Sequence, residues 1–530
     1  MRLAFHWSVA FLGGSVSLGA QAVLLQYPVT RAVALVGDLD GDGLRDLGYG
    51  PGIGPLTYIS SRTAGVLLQL SLPPGYVGFT GVVGIGDTNG DGVDDLLLRL
   101  GASLAGPQFI AVASGATGAI LYTSPYGLSN FSYFASLGDI NGNGTGDFAF
   151  GDPYLPFGGI PEAGQVEVVD GGTWATIRIH GGSFYQHYFS WVRALDDVNG
   201  DGAGDYAVLS YTGFQVYSGA TGQVLYTVQP LSYTWGQFLL PIGDFDADGF
   251  GDFAVNDYDS PPWSSTYERV IVYSGLTGAL RWSHTFTYSN PGPVHFGSPI
   301  RAAIGDIDND GYADAPFDGG LSGIGATAVS GRNQAFVREY PVPTMPGTVG
   351  QPYGSPGDFD GDGTPDVLTW IISGTTVVGA QLMSGQAPGV TAFGIGCPSA
   401  TGSPPEIGIS VGARLGRTMS VNLSRAPTTT SAALLGIGFS NQFWGSTSLP
   451  LDLAMFGLSG CSWFVSPDVI AQVTTASQNG LPHHASHPIA IPNNTQFLGI
   501  NLYCQWLVLE SLPGLPWASV TRALRTTVVP

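Results

Sequence analysis

Aspartates and asparagines recur seven times along the chain in one nine-residue pattern, Asp-x-Asp/Asn-x-Asp/Asn-Gly-x-x-Asp. The first copy is Asp38, Asp40, Asp42, Gly43 and Asp46, and the second is Asp87, Asn89, Asp91, Gly92 and Asp95. The third has Asp139, Asn141, Asn143, Gly144 and Asp147, and the fourth Asp197, Asn199, Asp201, Gly202 and Asp205. The fifth has Asp244, Asp246, Asp248, Gly249 and Asp252. The sixth has Asp306, Asp308, Asp310, Gly311 and Asp314, and the seventh Asp358, Asp360, Asp362, Gly363 and Asp366. Oxygens at positions 1, 3 and 5 converge if the backbone turns tightly, which Gly at position 6 permits. The carbonyl at position 7 (Leu44, Val93, Thr145, Ala203, Phe250, Tyr312 or Thr364) adds another oxygen, and Asp at position 9 closes the cage. Such oxygen-rich, flexible cages suit calcium. Up to four carboxylates in one turn repel one another strongly unless a cation joins them. The sequence therefore predicts up to seven structural calcium ions, with the third loop, carrying two Asn, the weakest site.

An EF-hand would place its closing Glu at position 12 between helices. Position 12 is here Tyr49, Leu98, Phe150 or Val208, within short runs rich in β-branched and aromatic residues. Runs such as Val33-Ala34-Leu35-Val36 before a loop and Phe148-Ala149-Phe150 after one are too short for helices and read as strands. Further on, several units carry a hairpin phrase, Ala113-Ser114-Gly115-Ala116-Thr117-Gly118, Tyr217-Ser218-Gly219-Ala220-Thr221-Gly222 or Tyr273-Ser274-Gly275-Leu276-Thr277-Gly278. Each unit thus supplies about four strands. The first aspartates stand 49, 52, 58, 47, 62 and 52 residues apart, a blade-sized period. Seven units predict a seven-bladed β-propeller, closed so that no long sheet edge is exposed. An open β-solenoid is the alternative, though its periods are usually shorter.

Composition agrees with an all-β chain. Gly numbers 80 and Pro 37, while charged residues are 11% of the 530. Tight turns need the glycines, and long helices would need charged and Ala-rich runs that are absent. The net charge is −22, yet 24 of the 39 acids lie in the seven loops, so the acidity belongs to metal binding. All 17 basic residues are Arg. Without Lys there is no P-loop or Schiff-base chemistry, and so few cations argue against nucleic acid as a partner.

Residues 1–22 read as a signal peptide: Arg2, an apolar Leu3 to Leu12, then Ala20-Gln21-Ala22 as a cleavage site. No other stretch reaches the ~20 apolar residues of a membrane helix. The propeller is expected over 23–390, with export to the outside or cell surface. Residues 391–530 lack the loop, contain Cys397, Cys461 and Cys504, and show short apolar runs that predict a small β-sandwich-like C-terminal domain. Spacing leaves all three cysteine pairings open.

The repeated loops resemble those of FG-GAP and VCBS-type repeats, found in integrin α-chain propellers and their bacterial relatives. Phe296-Gly297 before Gly305-Asp306 is similar to the "FG" element, and Gly151-Asp152-Pro153 to a degenerate "GAP" element. In the fifth unit Trp235-Gly236 replaces FG, and the first two units lack a clear counterpart. The resemblance, over about residues 24–390, implies structural metals and a propeller face that binds proteins or glycans. No inserted metal domain of the integrin type is visible. Phe393-Gly394-Ile395-Gly396-Cys397, Leu449-Pro450-Leu451-Asp452-Leu453, Gly460-Cys461 and Gln505-Trp506 resemble a module of secreted planctomycete proteins. That resemblance implies a bacterial source and a Cys397–Cys461 disulfide with Cys504 free.

Catalytic constellations are weak. Gly408-Ile409-Ser410-Val411-Gly412 matches a nucleophile-elbow pattern, but that elbow needs a strand-to-helix turn in an α/β sheet. His483, His484 and His487 are read as belonging to a polar loop after Leu481-Pro482 rather than to a zinc site. Glu162, Glu167, Glu268 and Glu339 form no evident pair. The aromatic stretches Tyr185 to Trp191 and Tyr233-Thr234-Trp235 are read as blade-to-blade packing, with sugar stacking as the alternative. The reading is a non-enzymatic extracellular binder of a protein or glycan. The alternatives are an exported polysaccharide hydrolase or lyase and a structural cell-envelope protein.

Overall fold

The structure is a computed structural model. It describes residues 23–530 except 28–31, 51–54, 64, 103–105, 131, 183–190, 211–212, 230–238, 259–266, 288–302, 318–325, 335, 341–347, 374–375, 388, 400–401, 476–482 and 511–517. The signal-peptide expectation, Phe296-Gly297, Trp235-Gly236 and the aromatic stretches other than Trp191 lie outside the described residues.

Each loop joins two antiparallel strands, as the flanking apolar runs predict. Tyr133–Gly138 and Asp147–Asp152 flank the third loop and pair with Phe134 opposite Phe150. Gln165–Val169 and Thr176–Gly181 then extend the same sheet in chain order. The same four-stranded meander recurs around the first, second, fourth and fifth loops. The sixth sheet has three strands among the described residues, Asp314–Phe317, Ala326–Ser330 and Phe336–Tyr340. The seventh, from Thr348–Gly357, Asp366–Ser373 and Thr376–Met383, takes its fourth strand from the other end of the chain. Val23–Tyr27 pairs antiparallel with Thr376–Met383, Tyr27 opposite Ala380. Repeat counting does not show this exchange.

Packing follows from the two-residue period of a strand. In Asp95–Gly101, Leu96 and Leu98 enter the core shared with the first sheet, while Leu97 enters that shared with the third. In Asp147–Asp152, Phe148 and Phe150 face the second sheet and Ala149 the fourth. Strands covered on both faces read as continuous apolar runs. Fully burying such a Leu or Phe stabilises by roughly 1.5–3 kcal/mol. The cores continue from sheet to sheet, the sixth meeting the seventh through Ile307, Tyr340, Val367 and Met383. Leu368, Ala380 and Leu382 of the seventh sheet then pack on Leu35, Leu47 and Ile59 of the first. The arrangement is all-β and propeller-like.

Beyond the seventh sheet, Val390–Phe393, Ala523–Thr527, Asn501–Glu510, Thr430–Gly438 and Val469–Thr474 form one sheet in that order. Glu406–Ile409, Thr418–Ala426 and His483–Ala490 form another. The two share a core around Trp506, whose Nε1–H donates to the Asn422 carbonyl at 2.9 Å. A disulfide joins Cys397 to Cys461; Cys504 is buried and unpaired, and burial pushes its thiol up to about 12. One expectation is corrected here. His483, His484 and His487 lie on a strand, not in a polar loop, because the Thr418–Ala426 strand pairs with them in register from Ala426↔His483 to Val421↔His487.

Candidate metal centres

Two aspartates in each loop are consumed by the backbone. The first-position carboxylate curls the turn around itself. Its Oδ2 accepts the position-6 N–H at 2.7–2.9 Å in all seven loops, from Gly43, Gly92, Gly144, Gly202, Gly249, Gly311 and Gly363. Its Oδ1 accepts the position-5 N–H at 2.9–3.3 Å. The fifth-position Oδ1 in turn accepts the position-7 N–H, as Asp42 does from Leu44 at 2.9 Å and Asp362 from Thr364 at 2.9 Å. The third-position Oδ1 also accepts the position-5 N–H in five loops, at 2.8–3.2 Å, so the remaining oxygens and lone pairs are what a ligand can use.

The ninth aspartate is 0–1% exposed in every loop. Its Oδ2 accepts the position-2 N–H, for example Leu39 to Asp46 at 2.7 Å and Val198 to Asp205 at 2.9 Å. Its Oδ1 accepts an N–H from the hairpin beyond the next strand: Ser61, Gly115, Gly171, Gly219, Gly275 or Gly385, at 2.8–3.0 Å. Asp314 is the exception, its Oδ1 buried without a hydrogen bond among the described residues. Position 9 is therefore a structural tie between loop and hairpin as well as a candidate ligand.

Four loops bring three carboxylates within 4.8 Å of one another, close enough to hold a metal ion. These are Asp38, Asp40 and Asp42; Asp244, Asp246 and Asp248; Asp306, Asp308 and Asp314; and Asp358, Asp360 and Asp366. All four are loops without Asn. In the others the amide eases the repulsion, Asn89 Nδ2 donating to Asp95 Oδ1 (3.2 Å) and Asn199 Nδ2 to Asp201 Oδ2 (2.9 Å). In the third loop Asn141 Nδ2 donates to Asp147 Oδ1 (3.5 Å) and Asn143 Nδ2 to Asp170 Oδ1 (3.0 Å). Arginine compensates elsewhere: Arg62 Nε lies 3.0 Å from Asp42, and Arg281 pairs with Asp246 and, at 3.7 Å, with Asp248.

The electrostatics record the crowding. Burial, opposed by backbone N–H donors, lifts Asp46, Asp147 and Asp205 to about 6. Burial and the charges of Asp246 and Asp248 take Asp252 to about 8, and burial with the charge of Asp360 does the same to Asp366. In the sixth loop burial first, then mutual repulsion, drives Asp306, Asp310 and Asp314 upward. A bound cation offsets both penalties.

Two conformational requirements escaped the sequence reading. Position 4 is left-handed in all seven loops, with φ of 75–76° at Gly41, Gly90, Gly142, Gly200 and Gly361, 55° at Ala247 and 52° at Asn309. The recurrence of Gly there was the available signal. The Ser-Gly of the hairpin phrase is explained by close approach. A Cβ at Gly115, Gly171, Gly219, Gly275 or Gly385 would overlap the position-8 carbonyl of the same unit's loop. The Ser before Gly115, Gly219 and Gly385 reaches the fifth-position carboxylate, as Ser218 Oγ does Asp201 at 2.8 Å, whereas Asp170 stands before Gly171 and accepts from Asn143.

The other candidates have structural tasks. Ser410 follows a strand of an antiparallel sheet and its Oγ accepts from Asn422 Nδ2 at 3.0 Å, which removes the elbow geometry. Glu167 accepts from the hydroxyls of Tyr126 and Thr176. The side chains of Glu268 and Glu339 lie outside the description. Asp152 of Gly151-Asp152-Pro153 accepts the Ser129 and Tyr154 N–H groups. His484 packs edge-to-face on Tyr312 and His483 bonds Thr475, and among the described residues no histidine joins a metal-type cluster. Trp191 packs on Tyr133, ring centroids 4.5 Å apart. A cavity of about 540 Å³, invisible to sequence, lies where Asp244, Asp306 and Asp358 of three loops meet Glu406, Arg425 and His484.

No known protein-family model matches the sequence. Integrin alpha-IIb of Mus musculus is 28% identical over 209 residues, 34% of this chain and 19% of its own length. Human integrin alpha-IIb is 28% identical over 213 residues (35% and 19%). Integrin alpha-V of Gallus gallus is 26% identical over 220 residues (35% and 20%). The chain is thus a distant, partial homologue of integrin alpha chains, which contain FG-GAP repeats, and spans about a fifth of their length. Among solved structures, BBS1N in complex with ARL6DN aligns with a TM-score of 0.44 at 12% identity, covering 69% of this chain and 98% of that one.

Proposed function

We propose that this protein is an extracellular, calcium-stabilised β-propeller of seven blades over residues 23–390, carrying a β-sandwich-like domain at 391–530, and that it recognises a protein or glycan ligand without catalysis. The observation that carries this is the shared loop frame, in which the first and ninth aspartates build the turn and, in four loops, the first aspartate converges with the third and either the fifth or the ninth as a carboxylate triad. Calcium is the fitting ion, because the donors are all hard oxygens on an adaptable backbone. Distant homology with integrin alpha chains supports an extracellular ligand-binding role. Residues 1–22 serve as the signal for export in this reading, and the C-terminal resemblance adds a bacterial source.

The loops are staples, so recognition falls to other surfaces. Native mass spectrometry with calcium, paired with thermal melts with and without EDTA, tests the metal reading: bound calcium and a lowered melt are expected. An unchanged melt with no bound ion refutes it. Screening glycan and protein arrays with and without calcium tests recognition. Calcium-dependent hits with intact ligand are expected, whereas release of new reducing ends from a polysaccharide moves the assignment to an exported hydrolase or lyase.

A further inference from the structure

The seven loops are alike in backbone but not in surroundings. Asp40 of the first loop is exposed, whereas Asp308, Asp310 and Asp314 of the sixth are 1%, 1% and 0% exposed. The C-terminal strands roof that loop. Asn422 Nδ2 donates to the Asp308 carbonyl at 2.9 Å, and Gly408 lies so close that a Cβ there would overlap the same oxygen. From the loop side, Asn309 Nδ2 reaches the Ile407 carbonyl (3.4 Å) and the Gly363 carbonyl of the seventh loop (3.0 Å). The Arg338 guanidinium, buried, donates to the Ile409 carbonyl at 2.7 Å, to that of Ser410 and to that of Gly385 at 3.0 Å. His484 closes over Gly311 and Tyr312.

Beneath this roof the loop is built for a cation. Among the described residues Asp308 has Arg338, the Ser410 hydroxyl and the Asp310 N–H beside it without a hydrogen bond of good geometry to either oxygen, and Asp314 Oδ1 is unpartnered. Three buried carboxylate oxygens so poorly partnered are costly unless a cation binds them. The neighbouring cavity reaches Asp306 and Asn309, but Asp308, Asp310 and Asp314 are not among the residues lining it.

Resting on the calcium reading of the loops, we propose that the ion of the sixth loop is sealed in by the C-terminal strands and bolts them to the propeller. Binding there and docking are reciprocal: each strengthens the other by the same factor. The ion leaves only when the roof lifts, and an empty loop loosens the roof.

The test is a release experiment on the mature full-length chain, loaded with calcium-45 and diluted into excess EDTA, with native mass spectrometry counting the ions retained. One ion per chain is expected to leave about tenfold or more slowly than the rest. Asn309→Gly keeps the loop backbone, since five other loops carry Gly at this position, but removes both of its ties; the slow phase should then merge with the fast one. Asn422→Ala should do likewise. Asp308→Asn should abolish the slow ion and spare the fast ones. A single release phase in the wild type overturns the sealing. So does a slow phase that survives Asn309→Gly combined with Asn422→Ala, or one that persists in Asp308→Asn. A chain that binds no calcium overturns the loop reading and the sealing together; one that binds it with a single release rate overturns the sealing alone.

Discussion

Asp147 shows what one carboxylate does in this architecture. It closes the third loop, the one with two asparagines, and holds the Ile140 N–H at 3.1 Å and the Gly171 N–H at 3.0 Å while fully buried. Asp147→Ala leaves two buried donors unpaired, at about 1–3 kcal/mol each. Denaturant unfolding should show a loss of about 2–6 kcal/mol that persists in EDTA, with any further loss in calcium measuring the metal's share. A loss confined to calcium would mean that the ninth position acts through the metal alone. The need for Asp at this position was legible in the sequence as a recurrence. Its double duty was not, because the Gly171 partner lies 24 residues on and across two strands.

At the scale of the element, loop, strands and hairpin are one device. The hairpin returns to the loop it left, so its Ser-Gly must meet both a carboxylate and a carbonyl. Gly219→Ala would drive a methyl into the Gly204 carbonyl. Overpacking of this kind costs about 1–3 kcal/mol, read as a fall in the denaturation midpoint of that variant. Strand identity was legible from short β-rich runs such as Phe148-Ala149-Phe150 and Leu96-Leu97-Leu98. Which neighbour each residue faces was not, since a one-residue register shift exchanges the two faces. The histidines do not announce a strand because His483–Ala490 lacks apolar alternation; its pairing with Thr418–Ala426 comes from residues some 65 positions away.

Across the whole molecule, a chain of net charge −22 concentrates most of its acids in seven turns. Its stability should therefore follow free calcium by mass action. Each ion released on unfolding contributes about 1.4 kcal/mol per tenfold change in free calcium at saturation. The slope of unfolding free energy against log calcium is expected to be about 5–6 kcal/mol per decade if the four triads bind, and about 9–10 if all seven loops do. Calcium-buffered denaturant titrations distinguish the two, and a flat line contradicts the metal assignment. The long-range pairing belongs to this scale too: Val23–Tyr27 completes the sheet of Thr376–Met383, whose core residues pack on those of the first sheet.

The sequence by itself determined the local chemistry. Seven copies of one oxygen-rich turn, their period and their β-rich flanks are short-range facts, written in residues a few positions apart, and they specify an all-β repeat with candidate calcium loops. Tertiary structure decided everything that depends on distant partners: the fourth strand of the seventh sheet, the tie from each ninth aspartate to its hairpin, and the cavity at Glu406. It also decided that chemically equivalent loops are not equivalent in place. Asp40 and Asp308 occupy the same position of the same motif, yet one meets water and the other a roof of C-terminal strands, because burial is set by what packs above a loop and not by the loop.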